Sequence, residues 1–163
     1  MKRILTLMLA VCMLFMLAAC GQAPEKTAAD TAEKLGVTPE FVEINWDTKF
    51  VTLDAKKIDC IWNGMTISEE VKKNCDVSKA YVKNAQVVVI AKDKIADYKD
   101  AASMKDLTFA VESGSAGATA AEENGFDNIL EAGTQTDALL EVQSGACDAC
   151  IIDLTMAKAM LKK

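Results

Sequence analysis

A charge-free apolar run near the N-terminus constrains this chain more than any other feature. Lys2 and Arg3 give a positive start, and Ile4 to Leu17 follows for 14 residues without a charge. A helix that spans a bilayer needs about 20 apolar residues, so the run is too short to cross comfortably. It fits the apolar region of a secretory signal, which closes on small residues such as Ala18 and Ala19. Residues 1–19 are therefore read as an export signal and set apart from the folded part.

The stretch Leu17-Ala18-Ala19-Cys20-Gly21 looks like the lipobox of bacterial lipoproteins. That resemblance implies cleavage before Cys20 and attachment of diacylglycerol, with palmitate-type chains, to its thiol. One acyl chain holds a protein to a membrane only marginally, whereas two or more hold it stably. The alternative is an ordinary secretory signal followed by a chance cysteine. On the lipobox reading the mature chain is extracytoplasmic, anchored to the membrane by lipid, and monomeric.

Loss of Lys2 and Arg3 takes the formal charge from −6 to −8. Nucleic acid is a poor partner for such a chain, because phosphate binding needs a basic face. The 144 residues from Cys20 onward are enough for one modest domain or two small lobes. Histidine is absent, which excludes Ser-His and Cys-His nucleophile pairs and imidazole zinc sites. Binding gains weight over catalysis, and neither a cofactor nor a metal is expected. Cys60, Cys75, Cys147 and Cys150 could pair in an exported protein. The spacing Cys147-x-x-Cys150 suggests a redox or metal motif, but residues three apart on a strand face opposite ways. Buried small apolar residues are the plainer reading.

Local signals alternate helix and strand. Gly21 to Thr27 suits a tether, and Ala28 to Leu35 has helical spacing with Gly36 as its stop. Phe41 to Asn45 alternates like a strand, Asp47 can cap a helix to about Lys56, and Ile58 to Trp62 is a short apolar strand. Ser68 can cap another short helix. Ala85 to Ala91 is the strongest strand, its β-branched run suggesting burial on both faces, and Val87 to Ala91 is the expected connector between lobes. In the second half Leu107 to Val111 reads as a strand, and Ser113 to Gly117 as a glycine-rich turn opening the helix Ala118 to Asn124. Asn128 to Glu131 is a strand, Thr134 to Gln143 a helix with Gly145 after it, Cys147 to Ile152 a strand, and a last helix starts near Leu154. The expectation is an α/β fold with a mostly parallel sheet in each half. In open α/β sheets ligands sit at the carboxyl ends of strands, here Asn63 to Thr66 and Asp153.

Together these stretches resemble the extracytoplasmic solute-binding proteins, family 3 type, of polar amino-acid ABC transporters. The resemblance runs from about Thr31 to Met160 and rests on Glu40 to Asp47, Lys57 to Thr66, Val111 to Gly117 and Gly145 to Asp153. It implies a two-lobed, periplasmic-binding-protein-like (type II) fold that closes on one amino acid and hands it to a membrane permease. The implied organisation is a signal at 1–19, a lipidated tether at 20–30, and partial lobes at 31–88 and 89–163. Trp46 matches the aromatic that stacks on the ligand, though a core tryptophan would look the same. Gly64 and Thr66 match backbone and hydroxyl contacts, though Asn63-Gly64 also suits a plain turn. Ser115 and Ala116 match a helix N-terminus that receives the ligand carboxylate, where unpaired N–H groups favour an anion. Asp153 matches the carboxylate for the ligand ammonium, and it is equally a natural N-cap.

The chain departs from the family at three places. Val71 stands where the family usually has an arginine clamp, and Lys72 or Lys73 would replace a fork with a point charge. The first strand with its ligand aromatic is expected to be missing, as is the portion that the family continues past Lys163. A shortened remnant or surface interaction lipoprotein is therefore the second reading. Some relatives of this fold dehydrate small cyclic acids, but Glu112 is the only tempting carboxylate, and no acid/base pair converges on it.

Overall fold

The computed structural model describes residues 7–10 and 24–161. Cys20, the expected lipid site, and the remainder of the expected export signal lie outside the described residues. The chain divides into two compact units, one up to Tyr81 and one from Val82 onward. Each unit carries its own sheet, which realises the two-lobed α/β class.

The first unit holds β1 (Leu7–Ala10), α1 (Pro24–Leu35), β2 (Pro39–Val42), a 3-10 turn at Trp46–Thr48, α2 (Lys49–Asp54), β3 (Cys60–Ile61) and α3 (Glu69–Asn74). Its sheet has the order β2-β1-β3, with both pairings parallel. The strand expected to be absent is thus supplied by Leu7–Ala10, from within the segment read as an export signal. α1 starts at Pro24, inside the expected tether, and proline suits a first helical position because its missing N–H would be unpaired there anyway. The expected cap at Asp47 moves two residues back: Asn45 Oδ1 accepts from Asp47 N at 3.0 Å. Ser68 caps α3 as expected, its Oγ accepting from Val71 N at 3.2 Å. Ala28 anchors a small apolar cluster with Phe41, Cys60 and Trp62.

The second unit holds β4 (Gln86–Ile90), β5 (Phe109–Glu112), α4 (Ala116–Glu123), β6 (Ile129–Ala132), α5 (Gln135–Ser144), β7 (Ala149–Asp153) and α6 (Leu154–Met160). The sheet order is β4-β7-β5-β6, parallel except for β4, which runs antiparallel to β7. The run Val87–Ala91 contributes to an edge strand here. Every residue of β4 is only partly buried, so the full burial on both faces expected from its β-branched run is not reached at this sheet edge. The central strands β5 and β7 are buried almost throughout. Leu107, Phe109, Val111, Phe126 and Ile151 pack as one core, with Phe109 and Phe126 stacked at 4.3 Å between ring centroids. Gly145, at φ +79°, ends α5 in the left-handed conformation that glycine adopts without a Cβ penalty. Cys147 and Cys150 are both buried and unpaired, which is the packing role read from the sequence. Burial, followed by the neighbouring Cys147, pushes the Cys150 thiol up to about 12.

Candidate functional site

Asp153 ends β7 and occupies the N-cap position of α6, yet its side chain makes no cap hydrogen bond. Its carboxylate is held by amides instead. Oδ1 accepts from Asn84 Nδ2 at 2.6 Å and from Gln86 Nε2 at 2.7 Å, and Oδ2 accepts from Gln135 Nε2 at 3.0 Å. The Asp153 N–H donates to Gln135 Oε1 at 2.9 Å, so one side chain grips both the backbone and the carboxylate. Asn84 is fixed in turn by Thr155, whose N–H and hydroxyl both reach Asn84 Oδ1 at 3.3 Å. An ionised carboxylate offers about four lone-pair positions. Three are occupied by neutral amides, which orient the group and leave its charge uncancelled. The ion pairs Lys72–Glu69 and Lys94–Asp148 lie elsewhere.

The start of α4 adjoins this cradle. Ser115 is buried at the N-cap, and its Oγ accepts from Gly117 N at 3.1 Å and Ala118 N at 3.2 Å. Gly117 allows the helix to lie against the sheet. A Cβ there would stand 2.8 Å from the Ile151 carbonyl and 3.3 Å from Gln86 Oε1. The Gln86 side chain therefore lies close to Gly117 in the first turn of α4 while its Nε2 donates to Asp153. Glu112, buried at the end of β5, meets the same network through Gln135 Nε2 at 3.4 Å.

The structure thus brings together Ser115, Ala116 and Asp153, all in the second unit. Trp46, Gly64 and Thr66 fall in the first. Trp46 is 8% exposed, and Lys49 Nζ lies 5.0 Å from its ring centroid while donating to the Trp46 carbonyl at 3.1 Å. One ring face is therefore occupied from within the chain. Asn63 Oδ1 accepts from Met65 N at 2.9 Å, an Asx turn that sets the Gly64 backbone, and the Tyr81 hydroxyl donates to the Asn63 carbonyl. Thr66 is exposed, and its carbonyl accepts from Ser68 N at 3.0 Å. Val71 is buried in α3 as a core residue. Lys72 pairs with Glu69 at 2.6 Å on the surface, where a lysine–carboxylate contact contributes little.

The sequence reading missed Asn84, Gln86 and Gln135. The available signals were weak: an Asn-x-Gln pair entering an apolar strand, and a glutamine next to the Thr134 cap. Among the described residues no group of three or more metal-ligating side chains occurs, and no helix is long and apolar enough to cross a membrane.

Residues 24–141 match the model for bacterial extracellular solute-binding proteins, family 3. The arginine-binding extracellular protein ArtP of Bacillus subtilis (strain 168) is 28% identical over a 203-residue alignment, covering 99% of this chain and 77% of that protein. The L-cystine-binding protein TcyJ of Escherichia coli (strain K12) is 30% identical over 141 residues, 83% of this chain and 52% of its own length. Among solved structures, holo ArgBP from T. maritima superposes with a TM-score of 0.84 at 29% identity, covering 96% of this chain and 72% of that one. An ancestral amino acid-binding protein, AncCDT-1, described as a precursor of cyclohexadienyl dehydratase, gives 0.81 at 30% identity, covering 93% and 71%. The chain spans about half the length of TcyJ and three quarters of ArtP.

Proposed function

The chain belongs to the bacterial extracellular solute-binding proteins, family 3, and from that premise we propose that it is the substrate-binding lipoprotein of an ABC importer, capturing an amino acid for a membrane permease. The supporting observation is the Asp153 carboxylate, positioned by three neutral amides with one lone-pair position left over, beside the first turn of a helix. An ammonium group supplies the N–H that the carboxylate lacks. A carboxylate suits the start of α4 through the helix dipole, since the Gly117 and Ala118 N–H groups already donate to Ser115 Oγ. An α-amino acid carries both of those charges. With Val71 in the core and Lys72 paired, the ligand carboxylate relies on that helix start and not on an arginine fork.

The acidic chain suits a polar or cationic amino acid. The relatives are named for arginine and cystine, and arginine is the first titrant to try. Cys20 is the proposed lipid site, and the acylated thiol holds the protein on the outer face of the cell membrane. Thermal melting of the full chain with each common amino acid tests the binding role. A ligand present at 100 times its Kd stabilises the folded form by about 2.7 kcal/mol, enough to raise Tm by several degrees. A cooperative melt that no amino acid moves would instead favour the second reading, a shortened surface lipoprotein that binds no solute. That reading is motivated by Val71.

A further inference from the structure

Glu112 is a buried carboxyl group at the end of β5. β5 and β7 are parallel neighbours, with Val111 beside Ile151, so Glu112 and Asp153 stand at the carboxyl ends of adjacent strands. Ligands of open α/β sheets sit just outside such ends. Gln135 ties the two acids together. A side-chain amide nitrogen carries two donor hydrogens. Gln135 Nε2 reaches Asp153 Oδ2 at 3.0 Å and Glu112 Oε2 at 3.4 Å, while its Oε1 accepts the Asp153 N–H at 2.9 Å. Both ends of that side chain are engaged, and the two carboxylate oxygens stand within two hydrogen-bond lengths of each other.

Like charges that close disfavour one another, and a buried carboxylate keeps its charge at least cost with a cation nearby. A shared neutral amide orients the two acids without balancing them. A ligand with one positive group balances one acid. A ligand with a second positive group, on its side chain, balances both. We infer that Glu112 is a specificity-determining residue of the Asp153 site, selecting α-amino acids with a cationic side chain over neutral ones of the same shape. The inference rests on the amino-acid-binding reading of Asp153. Asp153 takes the α-ammonium that all these ligands share, so it does not choose among them. Glu112 takes the group in which they differ, and a guanidinium offers it a planar pair of N–H donors.

Arginine and citrulline separate the two roles, because citrulline carries an uncharged urea in place of the guanidinium at nearly the same shape. Isothermal titration of the full chain should show arginine binding roughly ten- to hundred-fold more tightly, the range of one charge-assisted contact. Glu112→Gln should bring the two ligands within about three-fold of each other. Asp153→Asn should weaken both by the same factor and leave their ratio intact. A purely structural Glu112 would instead make Glu112→Gln weaken both ligands equally, and that result would overturn the inference. Because the position is buried, Glu112→Asp is titrated alongside; it keeps the charge and should retain part of the preference for arginine. Complete loss of the preference in a folded Glu112→Asp protein would count against a charge-based role. Equal binding of arginine and citrulline by the unaltered chain would overturn the inference with no variant needed. The two levels of the account fail differently. If no common amino acid binds, the reading of Asp153 falls and takes this inference with it. If neutral amino acids bind as well as cationic ones, only the role of Glu112 falls.

Discussion

The two units reach order by different routes. In the second, large side chains fill the space between sheet and helices: Phe109, Val111 and Ile152 are essentially inaccessible, and Phe126 stacks on Phe109. In the first, the described core is sparser, with Ala28, Ala32, Trp46, Ile58 and Val71 buried, while Val51 is 68% exposed and Leu35 65% exposed. The second unit's four strands come from residues 86–153, and its sheet order is closed by helices that follow each parallel strand. The first unit's three strands depend on four residues contributed from far upstream. A sheet whose centre is remote in sequence carries a larger loop-closure cost than one assembled from successive strand–helix units. The candidate carboxylate therefore sits on the unit that holds itself together more fully.

That contrast can be broken by substitution. Phe109→Ala should have the largest effect, because truncating a fully buried ring costs about 3–5 kcal/mol. Denaturant melting should show the second unit's signal lost early while amides in α3 exchange as before. Simultaneous loss of both units would mean that they fold as one. Gly117→Val should follow at about 1–3 kcal/mol, because the new side chain meets a backbone carbonyl that cannot swing away. If it left both stability and ligand affinity unchanged, α4 would not lie as close to β7 as described. Gln135→Ala should cost about 1–3 kcal/mol by leaving the part-buried Asp153 N–H and carboxylate short of partners. Gln135→Glu, which restores the acceptor and adds a like charge, should recover less than half of any lost affinity.

The smallest effect is expected at Asp148. The Thr108 backbone N–H at 3.1 Å, followed by Lys94 at 3.2 Å, lowers its carboxyl below the ordinary 3.8. A depressed acid stabilises the fold above its unfolded value, and the contribution disappears as pH falls from 3.8 through the lowered folded value. Asp148→Asn should therefore flatten the acid limb of the stability curve slightly, by under about 1 kcal/mol for so exposed a pair. Cys150 acts at the other end of the scale. Its thiol is raised from 9.0 to about 12, so the unfolded chain releases that proton first, and stability should decline as pH climbs through this interval. A flat alkaline limb would contradict the burial of Cys150.

Much of the second unit was legible locally. Gly145 as a stop and the four strands follow from turn chemistry and periodicity within short windows, whereas Ser115, read as part of a turn, and Thr134, read as the first helical residue, are the N-caps. The first unit was harder. Asn45 and Asp47 are both competent caps two residues apart, and propensity does not choose between them. A buried parallel strand and the core of an export signal share one composition, so no pattern in Ile4 to Leu17 marks Leu7–Ala10 as sheet. Asp153 could be named from its place at a strand end. Its cradle could not, because Asn84, Gln86 and Gln135 lie 69, 67 and 18 positions away; the β4–β7 register brings in the first two and the start of α5 the third.

In the proposed binding role the Asp153 carboxylate holds an amino acid's ammonium group. Isothermal titration of the full chain with L-arginine and the other common amino acids, repeated with Asp153→Asn, measures that directly. Saturable heat with at least one amino acid is expected, weakened by about 100-fold in the variant as a charge-assisted contact of roughly 2–3 kcal/mol is lost. A folded protein that takes up no amino acid, or one that binds equally well with asparagine at that position, would contradict it.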